Sequence, residues 1–225
     1  MLSIIEVDQI VRSKRKTIAL IVKPDGNVIV RAPMRASVAF IHEFVEKNAE
    51  WIRKKKAEAQ SIVRPEPKRF VDGEEFMFLG KAYPLQIVDG QKSALHLEEN
   101  TFKLDSSAVK KATLVFERWY RKEALRILKE RVEHYAGQYG FEYNKVGITS
   151  ARTRWGSCSA SGSLNFSWRL IQTPPEVIDY VVVHELAHTQ VHNHSKKFWK
   201  KVESVMPDYD RHRKWLRKNG HPLLG

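Results

Sequence analysis

Residues 181–199 read VVVHELAHTQVHNHSKKFW and contain four of the nine histidines of this 225-residue chain. The residues just before them, QTPPEVIDY, carry signals that start a helix. Thr173 is a candidate N-cap, Pro174 suits the first turn, and Glu176 stands three residues after Thr173, where it would close a capping box. The valines then make the early turns of this helix apolar on most sides. The stretch therefore predicts a buried helix with an H-E-x-x-H sequence near its C-terminal end.

The spacing of His184 and His188 is that of two metal ligands on one helix face. Positions i and i+4 bring the Cβ atoms to about 5–6 Å, so two imidazoles can bind one zinc ion at about 2.0–2.1 Å. Glu185 is offset by about 100° around the helix axis and can reach a water molecule instead of the metal. A polar surface helix is the alternative interpretation, and the small Ala187 and the apolar preceding turns argue against it. The pattern predicts His184 and His188 as ligands and Glu185 as the catalytic base.

A catalytic zinc site needs a third protein ligand, and His192 and His194 are the candidates. A straight helix cannot bring three successive i+4 positions around one ion, because they spread over about 12 Å along the axis. A helix break at His192 and Asn193, with Ser195 capping a new helix, would turn His194 back toward the ion. His192 would then remain at the end of the first helix, either facing the substrate or exposed to solvent.

The composition limits the classes of function. Cys158 is the only cysteine, which excludes an internal disulfide and a zinc site built from several thiolates, and no base partner for it can be assigned. Hydrophobic residues make up 42% of the chain, but no apolar run is long enough to span a membrane, so we predict a folded, cytoplasmic protein with no membrane partner. The net charge is +13, and basic residues are dense after His194. This basic face predicts either a nucleic-acid contact or a solvated surface.

The first part of the chain is rich in predicted strands. Short β-branched runs between residues 4 and 33 are separated by a turn at Asp25-Gly26 and are followed by one helix over residues 37–60. Further strands are expected between residues 74 and 105, with turns at Gly80, Gly90 and the pair Glu99-Asn100.

A long helix from Ser106 to about Gln138, ended by Gly140, begins the second part. A strand over residues 145–151 and the H-E-x-x-H helix follow. We predict an α+β fold with two domains: a β-rich N-terminal lobe with one helix at residues 1–105, and a helical lobe with a small sheet at residues 106–225.

The segment RTRWGSCSASGSLNFSWRLI, residues 152–171, precedes the H-E-x-x-H helix. Arg152, Arg154 and Ser157 could place positive charge and a hydroxyl group beside a substrate, as the oxyanion formed during hydrolysis requires. We therefore include these three residues, with His192, as candidate substrate-binding residues.

This segment, together with HELAHTQVHNHSKKFW and PDYDRHRKWLRKNG, resembles the YgjP-like metal-dependent hydrolases, which are relatives of the SprT-like zinc metallopeptidases. RSKRKTIALIVKPDGNVIVRAP and DGEEFMFLGKAYPLQIV resemble the N-terminal part of the same family, so the resemblance covers nearly the whole chain. It implies a zincin-like C-terminal lobe in which His184, His188 and His194 bind the metal and Glu185 is the catalytic carboxylate. Ser167 departs from the asparagine found in many members, which puts one supporting hydrogen bond in doubt.

The leading hypothesis is a zinc-dependent hydrolase of peptides or proteins, in which the metal acidifies a water molecule and Glu185 accepts its proton. One alternative keeps this chemistry but applies it to nucleotide phosphates, for which the excess of Arg and Lys would be suitable. Another is a nucleic-acid-associated protein with a structural metal, although such zinc sites have four protein ligands. A metzincin is disfavoured, because Val191 stands where that motif requires glycine.

Overall fold

The computed structural model describes residues 5–23, 25–61, 66–220 and 223, so Ile4 and Pro24, at the edges of two predicted strands, lie outside the description. The chain forms two compact units, Met1–Pro65 and Glu66–Gly225. The sequence placed a boundary near residue 105. In the structure the division along the chain comes earlier, after residue 65, because the strands after residue 74 share one hydrophobic core with the C-terminal helices.

The first unit is a three-stranded sheet with two helices. Its elements are β1 (Gln9–Ser13), β2 (Ala19–Val22), β3 (Val28–Pro33), α1 (Val38–Lys47) and α2 (Ala49–Ser61). The central strand β3 is parallel to β1 and antiparallel to β2. Gly26 in the β2–β3 turn has a φ of 87°, and the Asp25 carboxylate accepts the backbone N–H of Asn27, which confirms the predicted turn.

One predicted helix over residues 37–60 is two helices in the structure. Asn48 ends α1: its side-chain amide donates to the Phe44 carbonyl and its backbone N–H to the Val45 carbonyl. A second short helix can then start at once, and both helices place aliphatic side chains against β3. The buried aliphatic residues of this core are Val28, Val30, Ala32, Ile41, Val45 and Ile52.

The second unit begins with a four-stranded sheet. Its strands are β4 (Glu75–Phe78), β5 (Lys81–Val88), β6 (Leu95–Glu98) and β7 (Thr101–Asp105), in the order β4-β5-β7-β6. β5 and β7 are parallel, and the other neighbours are antiparallel. The predicted turn residues Gly80, Gly90, Glu99 and Asn100 all have positive φ values.

The remaining elements build the part of the molecule that carries the histidines. They are a 3-10 helix (Ser106–Lys111), α3 (Ala112–Tyr139), β8 (Lys145–Thr149), β9 (Gly156–Cys158), β10 (Ser163–Ser167), a second 3-10 helix (Trp168–Gln172), α4 (Pro175–Ala187), α5 (Lys196–Val205) and α6 (Tyr209–Asn219). β10 lies between β8, to which it is parallel, and β9, to which it is antiparallel. β9 is therefore an edge strand. The predicted α+β fold is confirmed, and none of the helices in the described ranges is both long and apolar enough to cross a membrane.

Helix α3 organises the core of this unit. Its buried residues follow at every fourth position: Ala112, Phe116, Tyr120, Ala124, Leu128, Val132 and Ala136. Four residues advance by about 400°, so the buried stripe turns by about 40° at each step and winds around the helix. Different sides of α3 therefore meet different elements: it packs against β6, β8, the second 3-10 helix and α4.

Candidate active site

Helix α4 carries the H-E-x-x-H sequence and is buried along most of its length. It packs against α3, α5, α6 and β9. The predicted capping box is wrong, because Pro174 is the N-cap and makes no side-chain cap bond. The Thr173 hydroxyl donates instead to the Leu170 carbonyl in the preceding 3-10 helix, at 2.8 Å. Two prolines, Pro174 and Pro175, thus start the helix without a side-chain cap.

Three imidazoles meet at the C-terminal end of α4. The Nε2 atom of His194 lies 3.1 Å from Nε2 of His188 and 3.1 Å from Nε2 of His184. Within the described ranges, these three residues are the group of His, Cys, Asp or Glu side chains whose geometry suits one metal ion. His184 and His188 come from the helix, and His194 comes from the loop before α5.

This geometry fits a zinc ion. Two nitrogens at about 2.0–2.1 Å from a tetrahedral zinc are about 3.3 Å apart, close to the separations seen here. Ring nitrogens that converge in this way repel one another when all present lone pairs, and a shared cation removes that repulsion. The donor set consists of three imidazoles, a combination that zinc favours.

The loop between α4 and α5 turns earlier than the sequence predicted. The helix ends at Ala187 with His188 as its C-cap, so the expected break at His192 and Asn193 is wrong. The carbonyl of Val191 lies 3.0 Å from Nδ1 of His188 and accepts its proton, which leaves Nε2 unprotonated for a metal. This bond fixes the orientation of the His188 ring and stabilises the turn after α4. His192 therefore lies in the loop, and His194 folds back toward His184 and His188.

His184 is the most enclosed of the three ligand candidates. Burial, with the neighbouring charges of His188 and His194, lowers the pKa of its imidazole to about 3, so it is neutral at physiological pH. Its Nδ1 atom is buried without a hydrogen-bond partner in the described structure. Ring contacts hold this side chain: the centroid of Phe198 lies at 4.9 Å and that of Tyr180 at 5.9 Å.

The ring of His194 lies against an aromatic stack that the sequence did not reveal. Trp199 of α5 stacks on His194 with ring centroids 5.8 Å apart, and Tyr209 stacks on Trp199 at 5.3 Å. The guanidinium of Arg213 lies 4.6 Å from the centroid of Trp199. The Lys196–Val205 helix therefore supports the loop ligand from behind. In the sequence, the only indication of this stack was a tryptophan, Trp199, five residues after His194.

Glu185 faces β9 and is 6% exposed. Burial raises the pKa of its carboxyl group to about 7, against the opposing effect of the positive charge on Arg154. Gly156 makes room for it: a Cβ atom at this glycine would lie 2.6 Å from both Cγ and Oε1 of Glu185. The sequence assigns Gly156 no role, since nothing local shows which side chain lies opposite.

The histidines and Glu185 line an open cleft of about 480 Å³. Of the predicted substrate-binding residues, Ser157 and His192 line it, whereas Arg152 and Arg154 do not. The full lining is Gly156, Ser157, Cys158, Ala160, His184, Glu185, His188, His192 and His194. Cys158 is thus part of the cleft wall, where burial and then the charge of Glu185 raise the pKa of its thiol.

The predicted arginines have different surroundings. Arg154 is exposed, and it reaches the site only through its charge, which acts on Glu185. The charge of Arg152 acts on Arg169, whose pKa is lowered first by burial and then by Arg152. Ser167, the residue that departs from the family pattern, is buried, and its hydroxyl donates to the Ala151 carbonyl at 2.9 Å. This bond ties β10 to the segment that leads into β9.

Three converging imidazoles and a buried glutamate beside an open cleft are the groups that a metal-dependent hydrolase requires. The chain matches the YgjP-like, metallopeptidase domain family over residues 16–219, and it belongs to that family. The resemblance found in the sequence is confirmed, and the enzyme is a hydrolase of the metallopeptidase class.

Two solved structures are similar to part of the chain. The metallopeptidase zymogen of Pyrococcus abyssi abylysin is 23% identical, with a TM-score of 0.38, and the match covers 41% of this chain and 95% of that chain. The metallopeptidase zymogen of Methanocaldococcus jannaschii jannalysin is 17% identical, with a TM-score of 0.35, and the match covers 40% of this chain and 94% of that chain. No curated protein matches the sequence.

Proposed function

We propose that this protein is a zinc-dependent peptidase that uses Glu185 as its general base. The observation that carries the proposal is the convergence of the Nε2 atoms of His184, His188 and His194, beside which Glu185 is buried. Membership of a metallopeptidase family supports a divalent metal and a peptide or protein substrate. The imidazole donors favour zinc as that metal.

Bound zinc would supply Lewis acidity toward the substrate carbonyl and lower the pKa of a water molecule. Glu185 would accept the proton of the attacking water and pass it to the leaving amine nitrogen. Gly156 keeps the carboxylate close to β9, and the Val191 carbonyl keeps the His188 ring in place. Ser157 and His192 line the cleft and are the proposed polar contacts to the substrate.

The cleft favours a peptide over a nucleotide phosphate. Sites that bind phosphoryl groups present Arg or Lys side chains, or backbone N–H groups, to the phosphate oxygens. Neither lysine nor arginine is among the residues that line the cleft, although the chain carries 39 such residues. A purely structural metal is also disfavoured, because a structural zinc site has four protein ligands and the described part of the chain offers three.

We also propose that the basic surface of α5 and α6 contacts nucleic acid. α5 carries four lysines and one glutamate, and α6 carries five lysines or arginines and one aspartate. This excess attracts the phosphate backbone without regard to sequence. The contact is separate from the chemistry and would bring the peptidase to substrates on nucleic acid.

The catalytic proposal is tested by metal analysis and peptide hydrolysis with a matched variant. We expect about one zinc per chain, and a Glu185→Gln protein that keeps its zinc and loses about 100-fold or more of its activity, because the amide cannot accept a proton. Casein and a library of quenched fluorescent peptides are suitable substrates. A protein that takes up no zinc at neutral pH, or a Glu185→Gln variant with full turnover, would contradict the proposal.

A further inference from the structure

A second depression adjoins the cleft at the tip of the hairpin formed by β9 and β10. It has a volume of about 340 Å³, and Ala160 lines both cavities. Its lining residues are Glu142, Tyr143, Asn144, Ala160, Ser161, Gly162 and Thr189. The two cavities therefore share a wall residue at the tip of the hairpin, which places the second depression next to the cleft.

Three neighbouring polar side chains in this depression have free hydrogen-bonding groups. In the described structure, the Glu142 carboxylate, the Tyr143 hydroxyl and the Asn144 side-chain amide make no hydrogen bond or ion pair. Other polar groups are already used: the Asn144 backbone N–H donates to Gly162 at 2.9 Å, and the Thr189 hydroxyl donates to Leu186 at 2.9 Å. The first of these bonds fixes the segment that carries the three free groups.

The charge in the depression is opposite to that of the protein. Glu142 is the one charged residue in its lining, while the whole chain has a net charge of +13. Lys145 follows closely in the sequence, and the ammonium group of Lys201 lies 4.8 Å from the ring centroid of Phe141. Neither lysine lines the depression. An unpaired carboxylate with two free oxygen acceptors beside it suits a cationic group.

We propose that this depression is a subsite that binds a basic side chain of the peptide substrate, close to the bond that is cleaved. The inference rests on the proposed peptidase function. The ammonium of lysine offers three donors and the guanidinium of arginine offers five, and neither has an acceptor. The carboxylate of Glu142, the amide oxygen of Asn144 and the hydroxyl oxygen of Tyr143 can accept these donors together.

The test compares peptides that differ at one position. A quenched fluorescent peptide is made with lysine at each position near the cleavage site in turn, and each is compared with its glutamine counterpart. At one position, we expect lysine to raise kcat/KM by about fivefold, the upper range for a partly exposed ion pair. Glu142→Gln should abolish this preference, and Glu142→Lys should reverse it in favour of the glutamine peptide.

Glu203→Gln is the matched control, because it removes the same charge from an exposed residue of α5 outside the depression. This variant should keep the lysine preference. A peptide series that is cleaved with no preference at any position overturns the subsite. So does a preference that survives Glu142→Gln unchanged.

Binding separates the subsite from the proposed catalysis. The same peptides, labelled with a fluorophore, are titrated against zinc-loaded Glu185→Gln protein with and without Glu142→Gln, and fluorescence anisotropy gives the Kd values. A lysine preference that depends on Glu142 supports the subsite even if the wild-type protein cleaves none of the peptides, a result that would contradict only the peptidase proposal. Absence of binding, or equal Kd values for lysine and glutamine peptides, overturns the subsite.

Discussion

Gly156 shows how one residue without a side chain can position the proposed general base, Glu185. A Cβ atom added at this position would lie 2.6 Å from both Cγ and Oε1 of Glu185, which is shorter than any ordinary carbon contact. Because β9 is held by its pairing with β10, the glutamate side chain is the part that must move. If Glu185 is the general base, as we propose, activity should depend on the absence of a Cβ atom at this position.

We expect Gly156→Ala to lower kcat by about 10- to 100-fold while zinc is retained, because a catalytic group displaced by about 1 Å costs up to about 100-fold. Zinc content and steady-state kinetics measure the two effects. Gly137→Ala is the control, since a Cβ atom at this helical glycine meets nothing within 4 Å. Full activity in Gly156→Ala would show that Glu185 does not need its present position.

The two later histidines differ in their relation to the candidate ligands. The Nε2 atom of His194 lies within 3.1 Å of both other ligand candidates, whereas His192 is exposed and lines the cleft without joining the group. Loss of His194 leaves two protein ligands, and loss of His192 leaves three. Under the proposed ligand set, the two histidines should therefore differ in their effect on metal binding.

We expect His194→Ala to weaken zinc affinity by more than about 100-fold, and His192→Ala to keep stoichiometric zinc with a reduced turnover. Titration with a competing chelator gives the affinities. Tm with and without chelator gives the stabilisation that the metal contributes, which should be lost in His194→Ala alone. If His192→Ala empties the site and His194→Ala does not, the ligand set is wrong.

At the scale of the elements, the sequence predicted α3 well because its signals are local. An apolar stripe at helical spacing and a glycine able to take a left-handed φ mark its course and its end, and Gly140 has a φ of 66°. The end of α4 was missed for the opposite reason. His188 stops the helix through a bond to the Val191 carbonyl that forms only when the chain has turned, so Asn193 seemed the better stop signal.

In the candidate site, too, residues placed by local helix geometry could be predicted, whereas tertiary contacts could not. His184, Glu185 and His188 could be predicted because helical spacing alone puts them on adjacent faces. His194 was favoured over His192 by an expected helix break, although the break comes earlier than predicted, and by the family resemblance. The contact of Gly156 with Glu185 joins residues that are far apart in the sequence, and its basis is tertiary.

One ion pair fixes α4 against α3. The guanidinium of Arg131 donates from Nε and Nη2 to the two carboxylate oxygens of Asp179, at 2.6 and 2.7 Å. The Asp179 side chain is 15% exposed and that of Arg131 is 32% exposed, so solvent screens this pair less than the surface pairs of α3. Asp179 lies five residues before His184, and the pair helps to set the position of α4.

We expect Arg131→Met to lower the free energy of unfolding by about 1–2 kcal/mol, because it breaks a bidentate pair and leaves Asp179 without its partner. Chemical denaturation of both proteins measures the difference. Arg126→Met is the control, since Arg126 is 60% exposed and its pair with Glu123 spans one helical turn. Its effect should stay below about 0.5 kcal/mol. Equal losses in the two variants would contradict the assigned role of the Arg131–Asp179 pair.

At the scale of the whole molecule, the domain boundary was hard to predict because one hydrophobic core contains both the strands before residue 105 and the helices after it. Phe76 and Phe102 from the sheet pack with Phe116 of α3, at centroid distances of 4.1 Å for Phe76–Phe116 and 5.4 Å for Phe102–Phe116. Strand and helix patterns reveal where elements change, but they do not reveal which elements share a core. The sheet of β4–β7 therefore shares a core with the helices around the candidate metal ligands.

The charge of the molecule leads to a test of the proposed nucleic-acid contact. Four exposed residues of α5 and α6 have no ion-pair partner in the described structure and can be changed to glutamine together: Lys197, Lys200, Arg217 and Lys218. Four other exposed lysines without such partners provide a control with the same change of net charge: Lys81, Lys92, Lys110 and Lys122. The comparison separates a local contact from the general attraction of a protein with a net charge of +13.

For the wild-type protein, we expect binding to a duplex DNA that weakens steeply with salt, because each neutralised phosphate contributes about −0.9 to the slope of log K against log salt concentration. If the changed residues of α5 and α6 each contact one phosphate, their joint substitution should make that slope shallower by about 3–4, and the control variant should keep the wild-type slope. Fluorescence anisotropy at salt concentrations between about 50 and 200 mM measures the slopes of both variants. Over this range, several phosphate contacts change the affinity by orders of magnitude. Equal slopes for the two variants would show that the net charge alone attracts DNA, and the absence of binding at low salt would remove the contact while leaving the peptidase proposal intact.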